Sequence, residues 1–185
     1  LITSGRLVKN KGFQDLIYAL NEIINKKILN IRLIIIGGNI KQDILNYENT
    51  LKEIVTNLNL SDYVKFTGYT DNVARELSIG DLYVLPSYRE GFPTSIIEAM
   101  SSSLPIIATD IRGCNECVKE NINGFLYKKK DIKSLTNKII QIYNNSELQE
   151  KFSKNSRSLA LKHYKIDKYI DAQFNSIESL IDEKL

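Results

Sequence analysis

Short apolar runs alternate with longer segments of helical period along almost the whole chain, and glycine stands at most of the junctions. This alternation predicts an α/β fold with a parallel sheet, because parallel strands need a connection long enough to hold a helix. Residues 1–4 read as a strand closed by Gly5-Arg6, and Phe13, Leu16, Ile17, Leu20 and Ile24 then share one helix face. Residues 31–36 form an apolar strand ending at Gly37-Gly38. Ile44, Leu51, Ile54, Val55 and Leu58 mark a second helix, and residues 64–66 a third strand. Residues 71–79 predict a short helix and 82–85 a strand. Residues 86–92 must be loop, with a helix starting near Pro93, since proline in a first helical turn sacrifices no hydrogen bond. Residues 104–108 are strand again, and a short helix follows Gly113. Asn123-Gly124 turns the chain into a strand over 125–127, and the remainder is helical with polar breaks near Asn144 and Tyr164.

With 185 residues, 43% hydrophobic and 25% charged, the chain has the profile of a soluble globular protein rather than a disordered or collagen-like one. One domain over residues 1–185 is expected, with a core over 1–163 and a final helix over 164–185. The sole methionine is Met100 and the chain opens on a strand-like run, so it reads as a piece of a longer protein. No apolar run reaches the length of about 18 residues that spans a membrane. A net charge of +3, mixed along the whole length, argues against nucleic acid but leaves room for a small polyanionic ligand. Two cysteines, Cys114 and Cys117, are too few for a disulfide scaffold and suit a reducing cytoplasm.

In an open parallel sheet, ligands bind at the carboxyl ends of the strands, which is where the glycine-bearing loops fall. The richest of these is Glu90-Gly91-Phe92-Pro93-Thr94-Ser95-Ile96-Ile97-Glu98. It joins a glycine that lets a ligand approach the backbone, a helix start that can receive phosphate, and two carboxylates in Glu-x7-Glu spacing. Ser95-x-x-Glu98 also matches a capping box, a purely structural use of Glu98, and Glu90 alone could be a solvated loop acid. The second constellation is Gly5-Arg6-Leu7-Val8-Lys9-Asn10-Lys11-Gly12, whose cations suit a pyrophosphate. It lacks Gly-x4-Gly-Lys-Ser/Thr, so side-chain cations must replace a P-loop amide cradle. Cys114-x-x-Cys117 without further ligands is a poor zinc site and a weak redox motif. His163 and Lys128-Lys129-Lys130 read as solvated positions, the lysine run also being a candidate contact to a membrane surface.

Together these pieces resemble the C-terminal, donor-binding domain of retaining glycosyltransferases of the GT-B fold, of the group 1 (family 4) type. The resemblance runs in order over about residues 1–145. It rests on Ser4-Gly5-Arg6-Leu7 with Lys11-Gly12-Phe13, Ile36-Gly37-Gly38, Val64-Lys65-Phe66-Thr67-Gly68-Tyr69, Asp81 to Ser87, Glu90-x7-Glu98, and Thr109 to Glu116 with Asn123-Gly124-Phe125. It implies a Rossmann-like open sheet with helices on both faces, one half of a GT-B fold. It also implies a nucleotide-sugar donor, with UDP as the favoured carrier. Arg6 and Lys11 would grip its pyrophosphate beside Gly5, the amides of Gly91, Phe92, Pro93 and Thr94 would complete that cradle, and Glu98 would receive the ribose diol. Glu90 would face the sugar, and the base would lie near Gly38 and Tyr69. Arg6, Lys11 and Glu90 are the expected catalytic residues.

Metal-dependent sugar transferases tend to carry Asp-x-Asp, which this sequence lacks, so no metal or other cofactor is expected. The implied partners are the N-terminal acceptor-binding domain of the same parent chain and a glycan or lipid-linked acceptor of bacterial surface polysaccharide synthesis. The site would be cytoplasmic, with peripheral association at the inner membrane face. Two other readings stand beside this one: a non-catalytic nucleotide-binding module, and a UDP-sugar epimerase on the same architecture. Arg112, Cys114 and Asn115 depart from the common family pattern.

Overall fold

Along the central strands, successive side chains enter two different hydrophobic clusters, one on each face of the sheet. A computed structural model describes residues 1–38 and 47–165, together with residues 167, 170, 173 and 174. In β2 (Leu33–Ile36), Leu33 and Ile35 enter one hydrophobic cluster while Ile34 and Ile36 contribute to the other. In β4 (Tyr83–Leu85), Val84 points to the first cluster and Tyr83 and Leu85 to the second. In β5 (Ile106–Thr109), Ile107 is likewise separated from Ile106 and Ala108. A sheet apolar on both faces must be covered on both, which is the usual condition of parallel sheets.

The remaining strands are β1 (Ile2–Ser4), β3 (Val64–Gly68) and β6 (Gly124–Tyr127). All pairings between strands are parallel, in the order β3-β2-β1-β4-β5-β6. On the first face lie α1 (Phe13–Asn25), α2 (Tyr47–Asn57) and α6 (Ile132–Tyr143), supplying Leu16, Leu20, Leu51, Leu135 and Ile139. On the second lie α3 (Val73–Leu77), α4 (Thr94–Ser101) and α5 (Cys114–Cys117), supplying Leu77, Ile96, Met100, Cys114 and Cys117. The last described helix, α7 (Ser146–His163), serves both: Phe152 joins the first cluster and Ala160 the second. Phe152 meets Phe125 edge-on at 5.1 Å between centroids, fixing α7 to β6. This is the Rossmann-like open sheet with helices on both faces.

Helix limits follow from caps. Asn72 accepts from the Arg75 amide at the start of α3, Asp131 from Ser134 at α6 and Asn145 from Leu148 at α7. The last of these explains the expected break near Asn144. Three local expectations are corrected. Pro93 is the residue before α4, not part of its first turn; a missing N–H is equally harmless in both places. Ser95 lies inside the helix and no side chain caps α4, so the Ser95-x-x-Glu98 capping box does not form. Gly124 belongs to β6 rather than to the turn before it.

The expected final helix carries an apolar stripe in Tyr169, Ile170, Phe174, Ile177 and Ile181; Ile170 and Phe174 are exposed, and the other three, with Ile44, lie outside the described residues. No helix among the described residues is long and apolar enough to cross a membrane.

Candidate nucleotide-sugar site

The sheet order creates the site. Strands β1 and β4 are neighbours, yet β1 leads to α1 on the first face and β4 to α4 on the second. A crevice must open where the two connections part, at the carboxyl ends of the strands. The cleft there has a volume of about 770 Å3. The last residue of β1, Ser4, lines it with Gly5, Arg6 and Lys11 of the following loop, the loop after β2 adds Gly37 and Gly38, and that after β3 Tyr69 and Thr70. The loop before α4 adds Glu90, Phe92 and Pro93, and the helix itself Thr94, Ser95 and Glu98.

Backbone contacts hold these loops together. The Gly5 amide donates to the Ile36 carbonyl at 3.0 Å, Leu7 to Gly38 at 3.2 Å and Gly37 to Gly68 at 2.9 Å. A Cβ on Gly37 would lie 2.0 Å from the Gly5 carbonyl oxygen, at a φ of 132° that side chains rarely adopt. Glycine is therefore required for the first two loops to meet.

Of the residues expected from sequence, Gly5, Arg6, Lys11, Gly38, Tyr69, Glu90, Phe92, Pro93, Thr94 and Glu98 line one cleft. Gly91 does not; it sits in the same loop, facing open space. The amide cradle over residues 91–94 is also narrower than expected, because proline has no N–H and the Thr94 amide already donates to the Phe92 carbonyl at 3.0 Å. Arg6 is exposed. Glu98 opens to the cleft, but the protein on its other sides removes enough water to raise its carboxyl pKa. Tyr69 is 80% exposed at the rim, and a hydrogen bond to Asp71 raises its pKa.

Glu90 is no solvated loop acid. Its Oε1 accepts from Lys11 Nζ at 2.6 Å, and the side chains are only 10% and 16% exposed. This pair joins positions 79 residues apart in sequence.

Two further polar groups escaped the sequence reading. Fully buried Tyr83 shares a 3.0 Å hydrogen bond with Ser4, and burial pushes its phenol up to about 12, so the hydroxyl stays protonated beneath the cleft. On the first face, Tyr88 OH donates to Asp15 Oδ1 at 2.9 Å, its amide donates to the Asn10 carbonyl at 2.8 Å, and Lys130 Nζ lies 5.4 Å from its ring centroid. No periodicity marks either group, since each depends on which strands become neighbours.

Asp15 is 4% exposed, with Oδ2 buried and unbonded among the described residues. Desolvation raises its pKa above the ordinary 3.8, against the Tyr88 hydrogen bond and the Lys130 charge. A carboxyl with a raised folded pKa holds more protons folded than unfolded, so it makes stability fall as pH climbs from the ordinary carboxylate range through the folded value. Asp15→Asn is expected to flatten that decline in urea melts taken from about pH 4 to 8. An unchanged slope would show that the Asp15 charge is not what the fold resists.

Cys114 and Cys117 are free and buried. Burial, with the Glu90 charge second, pushes the Cys114 thiol up to about 12, and burial raises Cys117 as well. Both thiols are buried in the second cluster with raised pKa values, which speaks against the redox reading. His163 ends α7 exposed, and Lys128, Lys129 and Lys130 are exposed, as expected.

The chain resembles known sugar transferases over most of its length. It is 32% identical over 162 residues to the capsular polysaccharide biosynthesis glycosyltransferase CapM of Staphylococcus aureus, covering 83% of this chain and 39% of CapM. It is 30% identical over 176 residues to the poly(ribitol-phosphate) alpha-N-acetylglucosaminyltransferase of Staphylococcus aureus, covering 94% of this chain and 34% of that protein. The crystal structure of Anabaena HepE in complex with UDP and glucose superposes with a TM-score of 0.86 at 25% identity, covering 96% of this chain and 48% of HepE. The chain thus spans less than half the length of these relatives. The family model for glycosyl transferases group 1 matches residues 1–159, a stretch that carries every strand and every cleft residue described above, and the chain belongs to that family.

Proposed function

We propose that this domain holds the nucleotide-sugar donor, UDP-linked, of a retaining glycosyltransferase of bacterial surface polysaccharide synthesis. The observation that carries the reading is the convergence of Arg6, Lys11, Glu90 and Glu98 in one cleft at the crossing of β1 and β4. The HepE likeness, which includes UDP and glucose, supports the choice of donor.

Each role follows from charge and position. Glycosyl transfer breaks the bond from the sugar to the distal phosphate, and negative charge collects on the departing nucleotide. Fixed cations at that phosphate lower the barrier because they need no reorganisation as the charge appears. Arg6 and Lys11 supply them from the end of β1. Glu98 accepts hydrogen bonds from the ribose diol, Glu90 faces the sugar, and the base lies against the backbone near Gly38 and beside Tyr69. With two side-chain cations in place, we propose that no metal is needed.

The acceptor and the rest of the catalytic apparatus come from an N-terminal domain of the parent protein, so this domain alone binds donor without transferring sugar. The parent works in the cytoplasm at the inner membrane face, on a glycan or lipid-linked acceptor.

Calorimetric titration of the whole protein with UDP, GDP and ADP tests the reading. One nucleotide is expected to bind in about the micromolar to millimolar range, worth roughly 8 to 4 kcal/mol. Arg6→Ala and Glu98→Ala should each weaken it about tenfold, as loss of a charged hydrogen-bond partner does, with or without magnesium. A folded protein that binds none of the three would overturn the reading.

A further inference from the structure

Lys11 and Glu90 form an enclosed ion pair inside the cleft that the donor-site reading assigns to a pyrophosphate. The loops carrying them cannot easily separate. Tyr88, two positions before Glu90, donates its amide to the carbonyl of Asn10, the neighbour of Lys11. The same Tyr88 is tied to α1 through Asp15. Any exchange of partners at Lys11 is therefore a side-chain rotation within a fixed cleft.

One ammonium charge cannot fully neutralise both a carboxylate and a diphosphate. When phosphate takes Lys11, Glu90 is left as an anion beside a second anion, in a place with little water to screen either. What Glu90 then needs is a hydrogen-bond donor, and the hydroxyls of a sugar on the diphosphate are donors placed next to the phosphate. A bare nucleoside diphosphate brings no such donor and leaves the carboxylate uncompensated.

We propose that Glu90 acts as a competing counter-ion for Lys11, so that the cleft favours a sugar-bearing nucleotide over the bare nucleoside diphosphate and helps to expel the latter. This rests on the donor-site reading and adds a role for Glu90 beyond facing the sugar. It has an unusual sign: removing a side chain from a binding site tightens binding.

The test is titration of the whole protein with UDP, GDP and ADP, comparing wild type with Glu90→Gln, Glu90→Ala, Arg6→Ala and the double variant Lys11→Met/Glu90→Gln. The neutral variants should bind the accepted nucleoside diphosphate roughly three to ten times more tightly than wild type, the range set by a partly enclosed ion pair. The double variant should lose that gain, because no ammonium remains to be released. If either neutral variant folds and binds no more tightly than wild type, while Arg6→Ala still weakens binding, the counter-ion role is overturned and the donor site stands. If the folded wild type and its variants bind none of the nucleotides, both fall together.

Discussion

Lys11→Met in the whole protein is expected to slow sugar transfer by about a hundredfold to a thousandfold, the loss seen when one preorganised stabiliser of a developing anion is removed. Two effects combine. On the donor-site reading, the transition state loses a cation at the phosphate that is gaining charge, and Glu90, only 10% exposed, loses its partner at 2.6 Å. The second effect acts on ground-state binding and the first on the rate, so they separate kinetically. Adding Glu90→Gln to Lys11→Met should restore part of the affinity for the bare nucleoside diphosphate, which offers the unpaired carboxylate no hydrogen-bond donor. It should not restore kcat, which still lacks the cation. A decline in kcat/KM of less than about tenfold for Lys11→Met would mean that Arg6 alone carries the leaving phosphate.

The strands and helices were legible because burial in this fold is written locally. The stripe through Phe13, Leu16, Ile17 and Leu20 could only be a helix face, and all four are fully buried. The cleft residues were legible for a related reason: glycines and charges at strand ends mark loops, and the loops of a parallel sheet share one edge. What could not be read was pairing across that edge. Lys11 with Glu90, Tyr88 with Asp15 and Ser4 with Tyr83 join positions 73 to 79 residues apart. They meet only because β1 lies beside β4, and no local pattern encodes strand order. The start of α4 near Pro93 was legible too, but whether the proline precedes the helix or opens its first turn was not. Proline before a helix and proline in its first turn obey the same constraint, and only the hydrogen bonding of the Thr94 and Ile96 amides distinguishes them.

Gly12→Ala joins fold and site in one substitution, and its expected cost is large for the addition of a methyl group. Gly12 has φ 68° and ψ 15°, ending the short 3-10 turn at Lys9–Lys11 and standing immediately before α1. Alanine in this left-handed conformation costs about 1 kcal/mol before any contact is considered. Its Cβ would then lie 2.1 Å from the Pro86 carbonyl oxygen and 3.2 Å from the Tyr88 ring. The oxygen is backbone and cannot rotate away, so the loop after β1 must move off the loop after β4. The sum is expected to be about 2 to 4 kcal/mol, as for other mutations that strain backbone and force close contacts. In a chain of this size that lowers Tm by roughly 5 to 15 °C. Nucleotide affinity should fall as well, because the movement draws Lys11 from Glu90 and widens the cleft between them. Gly91→Ala is the matching control: a Cβ there meets nothing within 4 Å and φ is not positive. It should change stability by less than about 0.5 kcal/mol. Equal melting temperatures for the two variants would show that the contact of Gly12 with Pro86 is not what sets the spacing of the two loops.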